Sequence, residues 1–463
     1  MISNKKLYNI AGWIVFAIAM TVFFLSAERT GSLWDCGEFI TGAHKLQVVH
    51  PPGAPLFILI GRMFTAVAEL FSSNPEDIAF SVNLLSGACT ATAAMLVCWI
   101  TMLLGKLALV GREGTTDDSQ NIALAGSGIV AGLCTAFATS IWFSAVEGEV
   151  YAMSTMFTVL VTWSMVKWYT LPDLPKHDKW IFFSVYAAGL SIGVHLLSLL
   201  TFPALALLYY FKKYKERNLK GMAIATISGL VFMVYVQKVV IVGIPWLWAK
   251  FELITVNGMG LPFHSGIVPT VLLLGGAIFL GLRWAHKKNH ALVAALIVAG
   301  GLVMVGFSTI GVVVIRANAN TPINMNNPSD AFRLIPYINR EQYGERPLLK
   351  GPHFNVDSRK YLSTTVTDRY GKLGDRYEKV EQKITQEWDP SQEMLFPRMG
   401  HMDPNRRPLY YQWMGRSSGN PTMGDNLYYF MRYQVGWMYW RYFMWNFAGR
   451  QNGEQGFNPG DLT

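Results

Sequence analysis

The chain has 463 residues, of which 51% are hydrophobic and only 15% are charged, and its mean hydropathy is +0.26. This composition excludes an ordinary soluble domain and indicates an integral membrane protein. The formal net charge of +9 does not indicate nucleic-acid binding, because the basic residues form short clusters between apolar segments. The four cysteines lack metal-like spacing, so neither a zinc site nor a disulfide framework is predicted.

Nine apolar segments follow one another along the chain, most of them long enough to cross a bilayer as a helix. They fall at 7–27, 80–104, 123–145, 151–170, 180–194, 196–211, 221–240, 267–284 and 291–315. The basic clusters between them alternate onto the side that carries Lys5 and Lys6, as the positive-inside rule requires. The sequence therefore predicts an all-α polytopic membrane protein with a cytoplasmic N-terminus and an uncleaved first helix.

The first outer loop, 28–79, contains a further apolar stretch at 54–71. This stretch carries Arg62 and Glu69, and each charge would cost about 2.5–3.5 kcal/mol at the bilayer centre. Counting it as a span would also move every later basic cluster to the outside. We therefore expect a helix in the outer interface rather than a tenth span.

Beyond 316 the composition becomes polar, and no further convincing span follows. Because an odd number of predicted spans follows a cytoplasmic N-terminus, 317–463 is predicted to lie outside the cytoplasm. Within it, 328–425 is predicted to be loop-rich. The segment 428–447 is dense in Tyr, Trp and Met, which favours an interfacial or re-entrant helix over a span. The sequence stops at NPGDLT without a tail signal, which is compatible with the front part of a longer protein.

The first outer loop also gathers titratable residues. Asp35 and Glu38 are three positions apart, so they share a face if the segment is helical. Lys45 and His50 follow in the same loop. In one interpretation, one carboxylate is a general base and the other is a cation ligand or a charge partner. In the other, both are ordinary solvated acids.

A second acidic motif, EGEVYAM, lies where the third and fourth apolar segments meet, and it contains Glu147, Glu149 and Tyr151. Two acids in an apolar hairpin are unfavourable unless they are paired or take part in function. The alternative is that they lie in a tight turn at the membrane surface. His195 lies between two short apolar segments, either beside a cavity or as a hydrogen-bonded core residue. Arg316 ends the ninth segment, where it either binds an anion or extends towards headgroups.

These residues share one predicted location. The topology places them all on the non-cytoplasmic face, whereas unrelated residues would be scattered over both faces. The set comprises Asp35, Glu38, His50, Glu147, Glu149, His195 and Arg316.

The motifs WDCGEF, HPPGAPLF, EGEVYAM and GLSIGVHLL resemble those of the GT-C glycosyltransferases. The nearest likeness is to the protein O-mannosyltransferases and to the bacterial domain-of-unknown-function family 2723. This resemblance implies a GT-C-like transmembrane bundle over 1–316. It also implies transfer of mannose or a similar sugar from a polyprenyl-phosphate donor to a hydroxyl of an exported protein or glycan. The implied location is the bacterial inner membrane, with the active site in the periplasm.

The resemblance also implies roles for individual acids. Asp35 matches the first-loop acid that acts as base, but the usual pair is adjacent whereas Glu38 follows two residues later. It therefore stays open which of the two is the base. Glu147 or Glu149 matches the second-loop acid, and Asp35, Glu38 and Glu149 are the candidate ligands if a divalent cation takes part.

Positive charge is needed beside the phosphate of the implied donor, since negative charge develops there as the sugar leaves. The candidates for this contact are Arg316, His50, Lys45 and His195. A guanidinium can hold a phosphate through two parallel hydrogen bonds and stays charged at any physiological pH.

Two other classes of function compete with this interpretation. A transporter or lipid flippase would use the same acids for substrate or protons, but at mid-membrane depth with access from both sides. A non-catalytic scaffold of an envelope or secretion complex would keep the fold and use the C-terminal region as a docking surface. Retention of both acidic loops argues against the scaffold.

Overall fold

The fold comes from a computed structural model, which describes residues 4–344, 347–357 and 361–448. Contacts within the chain divide it into two units, Met1–Arg340 and Glu341–Thr463. Each unit is described by itself below.

The first unit is built from helices. Their bounds are α1 Asn4–Ser26, α2 Cys36–Lys45, α3 Pro55–Ala68, α4 Pro75–Val110, α5 Asp118–Ala136, α6 Thr139–Ala145, α7 Val150–Thr170, α8 Lys179–Ile192, α9 Phe202–Lys213, α10 Leu219–Tyr235, α11 Ile244–Glu252, α12 Ile267–Lys287, α13 Ala291–Phe307, α14 Gly311–Asn318 and α15 Ala331–Ile338. A 3₁₀ segment, Leu196–Thr201, leads into α9, and π-helical segments at Val236–Gly243 and Leu253–Gly258 flank α11.

All nine predicted apolar segments are helical over most of their length. Within the described ranges, six helices are long and apolar enough to cross a membrane, or seven if the bent pair α5 and α6 forms one span. This confirms the all-α polytopic membrane fold. The segment predicted at 123–145 is not straight, because α5 and α6 meet at 68°. The segment predicted at 180–194 corresponds to α8, which has only 14 residues.

Helix α4 is the central packing element of the N-terminal half, with α1, α5 and α7 against it. It starts at Pro75, and the side chain of Asn74 accepts a hydrogen bond from the Glu76 amide at 3.1 Å. Glycines allow α5 to approach closely: a Cβ at Gly132 would lie 2.8 Å from the Ala94 carbonyl. The close packing of α4 fixes the helix ends from which the first loop and the α6–α7 junction project.

Helix α3 occupies the stretch that the sequence predicts to lie in the interface. Its 14 residues rise about 21 Å, too little to cross the apolar core of a bilayer. Arg62 pairs with Glu69 at 2.9 Å and donates to the His44 carbonyl at 3.0 Å, so both charges have partners. The interfacial position itself stays a prediction.

Residues 316–338 return to the first loop and hold it. Val48 forms a parallel bridge with Asn324, and the Ile323 amide donates to the Gln47 side chain at 2.6 Å. The Tyr337 hydroxyl donates to the Val49 carbonyl, next to His50. The polypeptide that follows the last long helix thus supports the loop that follows the first.

The second unit contains strands as well as helices. Its elements are β1 Lys350–Pro352, β2 Tyr361–Leu373, β3 Arg376–Trp388, β4 Glu393–Leu395, α16 Arg407–Met414, α17 Met423–Tyr429 and α18 Arg441–Met444. Strands β2 and β3 form a hairpin that turns at Gly374, where φ is +61°, and β1 pairs antiparallel with β4. The sequence predicts this polar region to be loop-rich, and the long hairpin is an element that its composition did not indicate.

Candidate active site

The first loop brings three titratable side chains together at the start of α2. Asp35 precedes the helix and Glu38 lies in its first turn. Glu38 accepts a hydrogen bond from the His50 amide at 2.7 Å, and its second oxygen lies 2.8 Å from His50 Nδ1. His50 Nε2 then faces Asp35 Oδ2 at 3.9 Å. A histidine therefore lies between two carboxylates, one bonded tightly and the other more than half exposed.

The hydrogen bonds change the protonation of both partners. Burial alone would raise the pKa of Glu38, but the side-chain and backbone bonds from His50 outweigh it and hold the pKa below its usual value. The hydrogen bond from Glu38 raises the pKa of His50 above its usual value, against the opposing effect of burial. At neutral pH this pair favours a carboxylate beside a positively charged imidazole.

The second acidic motif ends beside the first. Glu149 caps the N-terminus of α7, is only 7% exposed, and accepts a hydrogen bond from the Val150 amide at 3.1 Å. The Cys36 thiol donates to its other oxygen, with Sγ to Oε1 at 3.9 Å. Burial raises the pKa of Glu149 to about 7, and the negative charges of Asp35 and Glu147 add to the shift. Glu149 can therefore gain or lose a proton near neutral pH.

Hydrogen bonds tie the two loops to each other and to α4. Ser32 donates to Glu147 at 2.6 Å, and the Glu28 amide donates to the Val146 carbonyl at 2.9 Å. The buried Asn83 of α4 donates to the carbonyls of Glu28 and Thr30 at 2.7 and 3.0 Å. The acids of both motifs thus lie on a rigid support rather than on free loops.

His195 and Tyr151 lie beside this cluster. Their ring centroids are 5.5 Å apart, and His195 Nδ1 accepts a hydrogen bond from the Leu197 amide at 3.3 Å. Burial lowers the pKa of His195, and the positive charge of Arg340 lowers it further. His195 is therefore neutral at pH 7, with Nδ1 as an acceptor.

Arg316 reaches the first loop from α14. Its Nε donates to the Leu46 carbonyl at 2.6 Å and its guanidinium NH2 group donates to the Lys45 carbonyl at 3.1 Å. These bonds satisfy carbonyls at the C-terminal end of α2 and use two of the five N–H groups of the guanidinium. The Lys45 side chain is exposed nearby. Contact of Arg316 or Lys45 with a phosphate stays a prediction.

Arg340 is a cation that the sequence interpretation missed. It follows α15 with φ of +55°, and its amide bonds to the carbonyl of Tyr337, the residue that holds the His50 loop. Its charge opposes the rise in the pKa of His50 and adds to the lowering of the pKa of His195 that burial causes. No sequence motif marks Arg340, because it lies in a polar stretch and approaches the cluster only through the fold.

Among the described residues, one group of side chains has the spacing that a metal ion needs. One ligand atom from each of Asp35, Glu38 and His50 can be chosen so that all lie within 4.8 Å of one another. Carboxylate and imidazole ligands suit several divalent ions, but both Glu38 oxygens face His50, and an ion would have to replace those bonds. This group contains His50 where the predicted ligand set has Glu149, and both that ligand set and a divalent cation stay predictions.

Parts of the chain are similar to known proteins. Residues 35–218 match the family model described as the N-terminal domain of protein O-mannosyl-transferase TMEM260, and residues 344–431 match a family of unknown function, DUF8416. The protein O-mannosyl-transferase TMEM260 of Mus musculus is 30% identical over 178 residues, which are 38% of this chain and 22% of that protein. Its namesake from Dictyostelium discoideum is 25% identical over 176 residues, 38% of this chain and 19% of that protein. No solved structure matches.

The resemblance to protein O-mannosyltransferases, predicted from the motifs, is confirmed by these comparisons. The chain matches about a fifth of the length of these relatives. The matched region, 35–218, contains both acidic motifs, His50 and His195, whereas Arg316 and Arg340 lie outside it. Both relatives are eukaryotic, and the bacterial inner membrane stays a prediction.

Proposed function

We propose that this protein is a membrane glycosyltransferase that moves mannose or a similar sugar from a polyprenyl-phosphate donor to a hydroxyl. The acceptor we propose is Ser or Thr of an exported protein, and the reaction face is the non-cytoplasmic one. The observation that carries the proposal is the cluster of Asp35, Glu38, His50 and Glu149, which all lie within the region similar to protein O-mannosyl-transferases.

Asp35 is the general base in this proposal. Both oxygens of Glu38 face His50, whereas the Asp35 side chain is 59% exposed and has room to meet an acceptor. Asp35 takes the proton of the acceptor hydroxyl while the hydroxyl oxygen attacks the anomeric carbon from the face opposite the phosphate. The bond from the anomeric carbon to the phosphate oxygen breaks, and its electron pair leaves with the phosphate.

Positive charge would stabilise the leaving phosphate. The cluster carries three carboxyl groups and Glu147 lies beside it, so an anionic donor approaches only if cations offset them. The hydrogen bond from Glu38 raises the pKa of His50 and so favours its charged form, and Arg340 contributes a guanidinium charge. Arg316 keeps three N–H groups beyond its two carbonyl bonds, so it stays a candidate contact beside Arg340.

The test uses the purified chain in nanodiscs with a synthetic polyprenyl-phosphate mannose and Ser/Thr-containing peptides. We expect the wild type to transfer the sugar, and Asp35→Asn to lose about 10²–10⁴ in rate while it stays folded, because only the base is removed. Glu69→Gln, at the residue that follows α3 and pairs with Arg62, is the matched acid control and should keep the activity.

Two outcomes would contradict the proposal. Full activity of Asp35→Asn would remove it as base and move the assignment to Glu38. Absence of transfer with any acceptor, together with movement of the labelled donor between leaflets, would favour the flippase interpretation instead.

A further inference from the structure

The second unit carries a helix that turns an apolar face outward. It runs from α17 through the π-helical segment Phe430–Trp440 into α18. Large apolar side chains that are 41–64% exposed recur along this helix and just after it; these are Met423, Leu427, Tyr428, Met431, Tyr439, Trp440, Phe443, Met444 and Phe447. A helix on the surface of a soluble domain would place polar residues there.

The inner face of the same helix has partners. Tyr429 is buried, stacks on Tyr433 at 4.8 Å and meets the ring of Tyr410 at 5.4 Å. These rings pack around Phe354 and Met399 as the apolar core of the unit. The exposed apolar side chains are therefore additional to those that form the core of the unit.

The charge around this helix is positive. Residues 396–448 contain six arginines and two aspartates, and neither Lys nor Glu, which gives a net charge of +4 with His401 neutral. Arg432 lies among the exposed apolar residues, and Arg441 lies over the rings of Trp437 and Trp445 at 4.2 and 4.8 Å. Such a surface complements anionic headgroups, which attract Lys and Arg next to a bilayer.

The composition of the outer face fits a bilayer better than a protein. Tyr and Trp concentrate at the headgroup level, where one edge of the ring stays wet. The first unit has six helices that are long and apolar enough to cross a membrane, so this helix belongs to a chain that is itself embedded in a bilayer. Within the described part of the second unit, this helix does not qualify as a span.

We propose that the exposed face of the helix Met423–Met444 lies in the headgroup region of the bilayer that the first unit crosses, with arginines close to anionic lipid phosphates. The second unit then binds the membrane surface through this helix, in addition to its covalent link to the membrane-spanning first unit. This proposal is independent of the glycosyltransferase activity.

The test places a fluorescent label at single cysteines in the full-length chain, after the four native cysteines are replaced. Met431→Cys and Phe443→Cys report on the exposed face, and Leu373→Cys, 63% exposed at the hairpin turn, is the matched control. The chains are placed in nanodiscs of phosphatidylcholine and phosphatidylglycerol. One series carries lipid with a nitroxide near the top of the acyl chain, and another receives iodide in the buffer.

We expect the nitroxide lipid to remove most of the fluorescence at 431 and 443, and iodide to quench mainly the label at 373. Replacing phosphatidylglycerol by phosphatidylcholine should weaken the lipid quenching, because the arginines lose their anionic partners. Lipid quenching at 431 and 443 no stronger than at 373 would overturn the proposal. If those labels were instead shielded from both quenchers and cross-linked between two chains, the face would belong to a second copy.

Discussion

Glu38 touches His50 twice, through the backbone amide and through the ring, so one carboxylate both orients the imidazole and raises its pKa. Glu38→Gln removes the negative charge and should lower the pKa of His50 towards its usual value. If a charged His50 supports the leaving phosphate, the alkaline limb of the pH–rate profile should move to lower pH. Steady-state rates measured across pH test this.

The control for this experiment is again Glu69→Gln, since Glu69 pairs with Arg62 and His44 and not with the cluster. Its profile should match the wild type. An unshifted alkaline limb in Glu38→Gln would show that the charge of His50 is not needed for transfer.

Glu149 gives a prediction about stability. Its folded pKa of about 7 lies above that of an unfolded glutamate, about 4.3, so the folded chain holds a proton that the unfolded chain releases between these values. The stability that this proton contributes is present below the unfolded pKa and is lost as the pH rises through 7. Glu149→Gln should therefore unfold at a higher temperature than the wild type at pH 8, and at a similar temperature at pH 4.

Thermal unfolding in EDTA measures the effect without competition from divalent ions. Glu216→Gln, which alters an exposed acid far along the chain, should follow the wild type at both pH values. Equal unfolding temperatures of Glu149→Gln and the wild type at pH 8 would show that the folded protein already holds Glu149 as a carboxylate without penalty.

Sequence interpretation found the acids of this cluster but not its full set of charges. Asp35, Glu38 and Glu149 stand out because acids are rare in so apolar a chain. Arg340 does not, because arginines are common in the polar region and only α15 brings this one near His50. The contacts of Arg316 were also unpredictable, since its carbonyl partners are about 270 residues away in the chain.

At the scale of elements, the C-terminal end of α2 depends on α14. The helix ends at Leu46 with φ of +50°, and Arg316 donates to two carbonyls there. We expect Arg316→Ala to lower the free energy of unfolding by about 1–3 kcal/mol, because two charged hydrogen bonds are lost. Equilibrium unfolding in detergent measures this, and Arg283→Ala, at an exposed position of α12, is the control.

Arg316→Lys separates this structural role from contact with the donor. If Arg316 also binds the phosphate, Arg316→Lys should raise the KM for the donor while the chain stays folded, because an ammonium cannot form two parallel bonds. An unchanged KM would restrict Arg316 to the support of α2 and leave Arg340 as the main phosphate contact.

The elements that the sequence predicted are those with a strong apolar signal. All nine apolar segments are helical, but the bend between α5 and α6 falls in the apolar run at 137–138, which contains neither Gly nor Pro. The β2–β3 hairpin was missed because its strands are largely exposed and charged, so they lack the apolar alternation that identifies a strand.

For the whole molecule, the predicted topology is tested by labelling. We expect Thr115→Cys, exposed between α4 and α5, to be inaccessible to a membrane-impermeant reagent in intact cells, because a predicted topology in which α1 and α4 are the first two spans places it in the cytoplasm. Leu33→Cys, 79% exposed in the first loop, should react. Thr115 is preferable to Gly114, where a Cβ would lie 2.1 Å from the Val110 carbonyl. Labelling of Thr115→Cys from outside would mean that α3 crosses the membrane after all.

The contact between Tyr337 and Val49 has a consequence for biosynthesis. The first loop leaves the ribosome early, but its partners at 316–338 follow about 270 to 290 residues later. A nascent chain arrested before α15 has inserted most of its helices and displays both acidic motifs, yet it lacks the residues that brace the His50 loop. Translation must therefore pass residue 337 before all the contacts that brace the His50 loop can form.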